Sequence, residues 1–359
     1  MSEMKTILVT GGLGYIGSHT VVELYSKDYL KQNKMKNEYN VVIVVEDCSI
    51  CSEKILPILE NIVGQKIPFY KVSIVNKEAL EEPFKKHKIY AIIHFAGKKA
   101  VGESVEKPLL YYENNFIGTF NLIELCLKYN VNNFIFSSSC TVYGNRDDRP
   151  KEDDKMLFPI NPYGRSKLFI EHMLKDTAKA EKSFKIALLR YCNPVAAHPS
   201  GKIGEDPFLA PSNLFPIIQN LVRGTLKEMK IFGKDYPTRD GTCIRDFIHV
   251  TDIAQGHIIV LNVFEKENEK LFNENTVIYN MGTNKGYSVK EVIEMYEKSN
   301  GIKLNYTYVE RRSGDATIAL PDCSKIQNEL GWTPKIGLEQ MCKDSYNFVK
   351  MHPNGLYNE

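Results

Sequence analysis

The chain carries almost no excess of charge: 46 Lys and Arg stand against 44 Asp and Glu, for a formal net charge of +2. That balance removes the argument for a nucleic-acid partner or an anionic membrane surface, so an anionic ligand would have to be met by a local site. No run is long enough to span a bilayer, and the first strand begins within a few residues of Met1 with no leader-like stretch before it, so a cytoplasmic protein is expected. Internal repeats and low-complexity tracts are missing too. The eight cysteines are scattered. Cys48 and Cys51 form a CxxC, but no second pair at suitable spacing would complete four ligands, so no metal is expected and the two read as reduced thiols in a loop.

What is present is ordinary globular composition, 43% hydrophobic and 25% charged over 359 residues, enough for a sizeable core and either two domains or one with an appended lobe. Thr6–Thr10 is a continuous apolar strand that runs into Gly11, Gly14 and Gly17 ahead of an amphipathic helix. Glycines at that spacing let the backbone turn tightly, approach a pyrophosphate and pack the helix on the sheet, which points to dinucleotide binding. A second strand, Val41–Val45, ends in Glu46 and Asp47, placed to bond the adenosine ribose and repel a 2'-phosphate, so NAD is expected over NADP. The polar stretch Lys27–Asn40 between them reads as a surface loop. Strands Ile89–Phe95 and Phe184–Tyr191 continue an alternation with helices, so the fold class is α/β, a doubly wound parallel sheet. Ala96 and Gly97 would let a cofactor lie against the end of the first of these. Phe116, Phe120, Ile123 and Leu127 make one apolar helix face, read as core or a subunit contact.

After Asn193 the texture changes. A dinucleotide domain over 1–193, with a return near 241–262 carried by strand-like Arg245–Val250, and a smaller mixed α/β substrate domain over 194–240 and 263–359 are expected.

The chemistry falls between Phe134 and Lys167. A short apolar strand ends in Ser137, Ser138, Ser139, Cys140 and Thr141, and Asn161-Pro162-Tyr163 opens a helix. Tyr163 and Lys167 share a helix face, where an ammonium beside a phenol would lower a pKa normally near ~10 and make a base. A hydroxyl from Ser139 or Thr141 would hold the substrate oxygen or relay its proton.

With these pieces in order the chain resembles the extended short-chain dehydrogenase/reductase family, and within it the UDP-glucose 4-epimerases. The likeness runs from Lys5 to about Pro353, through Thr10–Thr20, Ala100–Val105, Ser137–Gly144, Asn161–Lys167, Gly201–Pro207 and Asp240–Val250. It implies inversion of the sugar 4-hydroxyl of UDP-hexoses by transient oxidation to a 4-keto sugar, with Tyr163 as base, Ser139 and Thr141 assisting and Lys167 holding phenolate and ribose. Galactose metabolism and a homodimer through the helices after Lys107 and Tyr163 are implied as well. By motif, Tyr15, Ile16, Ser73 and Ile74 would line the NAD, as would Phe95, Lys99, Asn115 and Ser137, with Tyr191 and Pro194 near the nicotinamide. Asn193, Asn213, Leu214 and Phe232 would hold the UDP-sugar with Arg245, Arg312 and Asp315, and Lys99 would face it. Ala319 stands where the family carries a gate, and its small side chain implies acceptance of UDP-N-acetylglucosamine and its galacto epimer. Glu46-Asp47 and Ser73 depart from the usual cofactor contacts, and Lys98, Cys140, Cys192 and Cys243 replace apolar or small residues beside the site. A 4,6-dehydratase would carry carboxylates after Thr141, where this chain has Val142 and Tyr143. A non-catalytic NAD sensor on the same fold would not need Tyr163 and Lys167.

Overall fold

Seven parallel strands form the central sheet, in the order 276–281, 185–191, 133–137, 89–94, 5–10, 39–46 and 69–71. The computed structural model describes residues 5–26, 39–146, 148–206, 213–312 and 315–357. The expected loop Lys27–Asn40 lies outside them but for its last two residues, which open β2.

β1 (Lys5–Thr10), β2 (Tyr39–Glu46) and β3 (Phe69–Lys71) form one half of the sheet. β4 (Ile89–His94), β5 (Asn133–Ser137) and β6 (Lys185–Tyr191) form most of the other. Ile7, Leu8, Val9, Ile92 and Ile135 are fully buried, because helices cover both faces and leave no polar side to the strands. The sheet therefore divides the core, with one large apolar cluster on each face.

β10 (Thr276–Met281) pairs with β6 from Thr276↔Ile186 to Met281↔Tyr191 and completes the sheet. The strand of the expected return near 241–262 does not join this sheet. β9 (Ile244–His249) stays in a smaller four-stranded sheet, pairing with β7 (Asn193–Val195), β11 (Gly286–Ser288) and β13 (Ile318–Ala319). The helix Val250–Leu261 then packs against the helix Tyr15–Leu24, with Ile253, Ile258 and Val260 in the core on one face of the large sheet, and 276–281 adds the strand at its edge. A further pair, β8 (Met229–Phe232) with β12 (Tyr306–Val309), lies beside a third core built on Phe215, Phe247 and Tyr296.

Candidate active site

The carboxyl ends of the central strands open into one cleft, which holds about 890 Å³ counting its mouth. Its floor is the turn after β1. Gly11 has φ +70°, and a Cβ there would lie 2.7 Å from the Ala96 amide nitrogen, while one on Gly17 would meet the Gly11 carbonyl at 2.1 Å. Only glycine permits both approaches. Gly14 precedes the helix Tyr15–Leu24 with no side-chain cap, so the backbone N–H groups of that N-terminus are left for an anion. Tyr15 and Ile16 line the same turn. The donors and the lack of side-chain bulk fit a dinucleotide pyrophosphate.

Glu46, at the end of β2, lines the cleft with Asp47. Its carboxylate accepts from the Asp47 amide at 3.0 Å and the Cys48 amide at 3.3 Å. Burial, with Asp47 adding repulsion, raises its pKa to about 7. Between its ordinary value of 4.5 and about 7 the folded state keeps a proton that the unfolded state has lost. Stability of the ligand-free protein should therefore fall as pH rises through that window. Melting of stripped protein across it should show a decline that Glu46→Gln removes.

Phe95, Ala96, Gly97 and Lys99 follow β4 into the cleft. Asn115 does not line it. Its side chain is buried behind the turn, accepting from the Lys98 amide at 2.8 Å and donating to the Lys98 carbonyl at 3.0 Å, and its neighbour Asn114 faces the cleft. The segment Tyr112–Ile117 is a π-helical turn, whose extra residue rotates the faces that ordinary helical spacing assigns. Likewise Val72 and Ile74 line the cleft, while Ser73 turns its hydroxyl back to the Val75 amide, 3.4 Å away. Lys98, expected beside the site, lines it as well, and so do Val45, Ser49 and Ile50, which carry no signal in the sequence.

Ser137, Tyr163, Lys167 and Tyr191 meet at the far end. The helix Pro162–Ala180 is aimed there by its start: Asn161 Oδ1 accepts from the Gly164 amide at 2.8 Å, and Pro162 occupies the first turn. A Cβ on Gly164 would come within 3.1 Å of the Thr141 carbonyl, so glycine lets this helix end sit against the Ser139 turn. Ser139 caps a short 3-10 turn, accepting from the Thr141 amide at 3.2 Å and the Thr141 hydroxyl at 3.0 Å. Its hydroxyl stands near the Tyr163 phenol.

Lys167 differs from expectation. Its Nζ donates to the Ser137 carbonyl at 2.7 Å and lies 5.9 Å from the Tyr163 ring centre. Burial raises the phenol's pKa, against the lowering effect of Ser139, and lowers that of Lys167 to about 8, against Glu171. Shared helix face brings the two side chains near each other, but the strand carbonyl competes for the ammonium, and desolvation outweighs its field at the phenol.

A second group of charged residues gathers around β9 and the β8–β12 pair. Asp315 accepts from Arg312 Nε at 3.2 Å and Nη2 at 3.1 Å, and Arg245 Nη2 stands 3.8 Å from the same carboxylate. The Arg312 guanidinium lies 5.2 Å from the Phe232 ring centre, and Ala319 pairs with Arg245 in the β13–β9 register. Asn193 and Pro194 sit on β7, paired with Phe247 and Ile248. Asn213 is exposed at the start of the helix Leu214–Arg223, and Leu214 is half-buried. Pro207 of the Gly201–Pro207 run lies outside the described residues. Among the contacts that join the glycine-loop side to this lobe, Lys99 Nζ lies 2.6 Å from Glu205 and Tyr15 Oη donates to the Ala196 carbonyl at 2.9 Å. Glu205 is a further residue that composition could not single out.

The family model described as GDP-mannose 4,6 dehydratase matches residues 8–345. A UDP-glucose 4-epimerase of Bacillus subtilis is 44% identical over 97% of this chain and 98% of its own length. The chain belongs to this family, and within it to the UDP-glucose 4-epimerases. A crystal structure of the UDP-glucose 4-epimerase from Bifidobacterium longum, in complex with NAD+ and UDP, superposes with a TM-score of 0.88 at 42% identity, covering 98% of this chain and 99% of that one. The UDP-Glc/GlcNAc 4-epimerase of Campylobacter jejuni gives 0.79 at 36% identity, over 97% and 99%. An epimerase, unlike a dehydratase, needs no carboxylate beside Thr141, and none follows it here: Val142 and Tyr143 are buried, apolar and hydrogen-bonded respectively.

Proposed function

We propose that the protein is an NAD-dependent UDP-glucose 4-epimerase in which Tyr163 moves the proton of the sugar's 4-hydroxyl. The observation that carries this reading is the cleft in which a glycine loop, the acidic end of β2 and the Tyr163–Lys167 pair meet.

The backbone N–H groups of Tyr15 and Ile16, opening the helix behind the Gly11, Gly14 and Gly17 turn, would hold the pyrophosphate of NAD, Glu46 and Asp47 its adenosine ribose, and Ser73 and Ile74 its adenine end. Asn115 acts on this site through the Lys98 backbone. When bound, NAD supplies a hydride acceptor that can give the hydride back within one turnover. Tyr163 takes the 4-hydroxyl proton, with Ser139 holding the sugar oxygen and Thr141 fixing Ser139. Lys167 and Tyr191 shape the far wall from either side of Ser137, and Pro194 closes the approach from β7. Arg245 and Arg312 would neutralise the substrate's pyrophosphate, and Phe232 would carry the uracil, while Asn193, Asn213 and Leu214 complete the clamp and Asp315 keeps both guanidinium groups aimed. Lys99 faces the space between the two ligands. Interconversion of UDP-glucose and UDP-galactose, followed by NMR without added reductant, tests the reading; bound NAD with no epimer formed would leave a sensor.

The same site is proposed to accept N-acetylated UDP-hexoses and to serve galactose metabolism. Ala319 lies next to Arg245 in the β13–β9 register and carries only a methyl group, which would leave room for the acetamido substituent. Ala319→Tyr should lower turnover of UDP-N-acetylglucosamine relative to UDP-glucose by about 10-fold or more, a discrimination within reach of pocket volume. An unchanged ratio would contradict this.

A homodimer is proposed through the helices 101–128 and 162–180. They expose Val105 (63%), Leu109 (79%), Phe120 (43%) and Phe169 (46%), large apolar side chains that a partner subunit would cover. Light scattering should report twice the chain mass, and a monomer for Phe120→Glu. Among the described residues no helix is long and apolar enough to cross a membrane.

A further inference from the structure

His94 is 1% exposed at the end of β4, among Phe134 and Phe136, where a histidine reads as core filling. Both its nitrogens are engaged. Nδ1 lies 2.6 Å from Thr10 Oγ1, and Nε2 lies 2.8 Å from Thr119 Oγ1. The direction of each bond follows from its neighbours. The Thr119 hydroxyl donates to the Asn115 carbonyl at 2.6 Å, so it accepts from His94 and Nε2 carries the hydrogen. Nδ1 is then an acceptor, and the Thr10 hydroxyl donates to it. Thr10 Oγ1 in turn accepts from the Ala96 amide at 3.3 Å.

The chain of bonds continues on the far side. Asn115 holds Lys98 at both backbone groups and donates to Ser166 Oγ at 3.2 Å, and Ser166 donates to the Tyr163 carbonyl at 2.7 Å. Thr10, His94, Thr119, Asn115 and Ser166 are all buried, so each link is shielded from competing water and a missing partner would leave its neighbour unsatisfied. The π turn at Tyr112–Ile117 places the Asn115 side chain on this path.

We propose that His94 is a positioning residue, held as its neutral Nε2–H tautomer, that ties the glycine loop at Thr10 to the Tyr163 end of the helix Pro162–Ala180 through Thr119, Asn115 and Ser166. The role rests on the epimerase reading above. Its Nδ1 arm sets the loop that holds the dinucleotide, and its Nε2 arm sets the base.

The two arms can be separated. An Asn amide reaches the place of Nδ1 and a Gln amide that of Nε2. His94→Asn should keep the wild-type content of bound dinucleotide, read by releasing it from purified protein, while kcat falls about 10-fold at unchanged KM, the scale of a small misplacement of a reacting group. His94→Gln should keep kcat at saturating NAD and lose dinucleotide on purification. Thr119→Val and Thr10→Val cut the same two arms without touching the histidine and should repeat the split, which covers a failure of either His94 variant to fold. Losses of dinucleotide and kcat in step with each other and with melting temperature, in all four, would overturn the proposal and leave His94 as core. If wild-type protein does not turn over, the epimerase reading falls; release of dinucleotide by Thr10→Val but not by Thr119→Val would still uphold the separation of arms, and equal release would overturn it.

Discussion

Tyr163→Phe is expected to lower epimerisation by about 10²- to 10⁴-fold, the range assigned to a positioned proton-transfer group. The substitution keeps the ring packed beside Ser139 and removes only the hydroxyl. UDP affinity should stay at the wild-type level, because the Arg245, Arg312 and Phe232 cluster is untouched, and so should retained dinucleotide. Steady-state rates together with UDP titration check this. Retention of more than a tenth of wild-type kcat would assign the proton to another group. The burial that raises the phenol's pKa has a kinetic consequence. Ligand-free protein holds a neutral Tyr163, so its ionisation belongs to the loaded site, and the phenol should titrate at lower pH with NAD bound than without.

Arg190→Leu should be the most destabilising single change away from the cleft. Arg190 donates through Nε at 2.9 Å and Nη2 at 2.6 Å to Glu171, and the two side chains are 1% and 0% exposed. Removing one partner of a buried pair costs about 3–5 kcal/mol, and here Glu171 would keep only the longer ion pair with Lys175, at 3.7 Å. Ser138 donates to the same carboxylate at 2.6 Å, and Arg190 Nη1 donates to Tyr143 Oη at 2.9 Å, so the loss should loosen the Ser139 turn as well. Burial opposes ionisation of Glu171, but Arg190 prevails and holds its carboxyl below the ordinary 4.5. The group therefore contributes stability that is complete above that value and is lost as pH falls below it. Denaturant titration at neutral and acid pH should find a smaller difference between wild type and Arg190→Leu in acid. An Arg190→Met, Glu171→Leu double variant should recover much of the loss.

The glycine loop was legible because a tight turn and a close helix leave glycine as the one residue that fits, so spacing alone carries the geometry. The strand–helix alternation was legible for the same kind of reason: parallel strands buried on both faces need unbroken apolar runs. The partner of a strand is not written in its own residues. Thr276–Met281 reads like any short apolar strand, and only its pairing with β6 places it in the large sheet, whereas Ile244–His249, more motif-like, stays outside. Helical spacing put Tyr163 and Lys167 on one face but could not tell that the Ser137 carbonyl holds the ammonium. The π turn moved Asn114 rather than Asn115 to the cleft, a one-residue rotation that no 3.6-residue period anticipates. His94 and the Glu171–Arg190 pair were invisible for a third reason: a polar residue in an apolar strand or helix face takes its meaning from partners distant in sequence.

The account stands on internal transfer at carbon 4 of the sugar, with proton and hydride both leaving and returning in one closed site. Its most direct test is the conversion of UDP-galactose deuterated at carbon 4, followed by NMR in ordinary water with no added reductant. The predicted result is UDP-glucose that keeps the deuterium at carbon 4 over many turnovers. Product with hydrogen from solvent at that carbon, or a net accumulation of oxidised sugar, would contradict it.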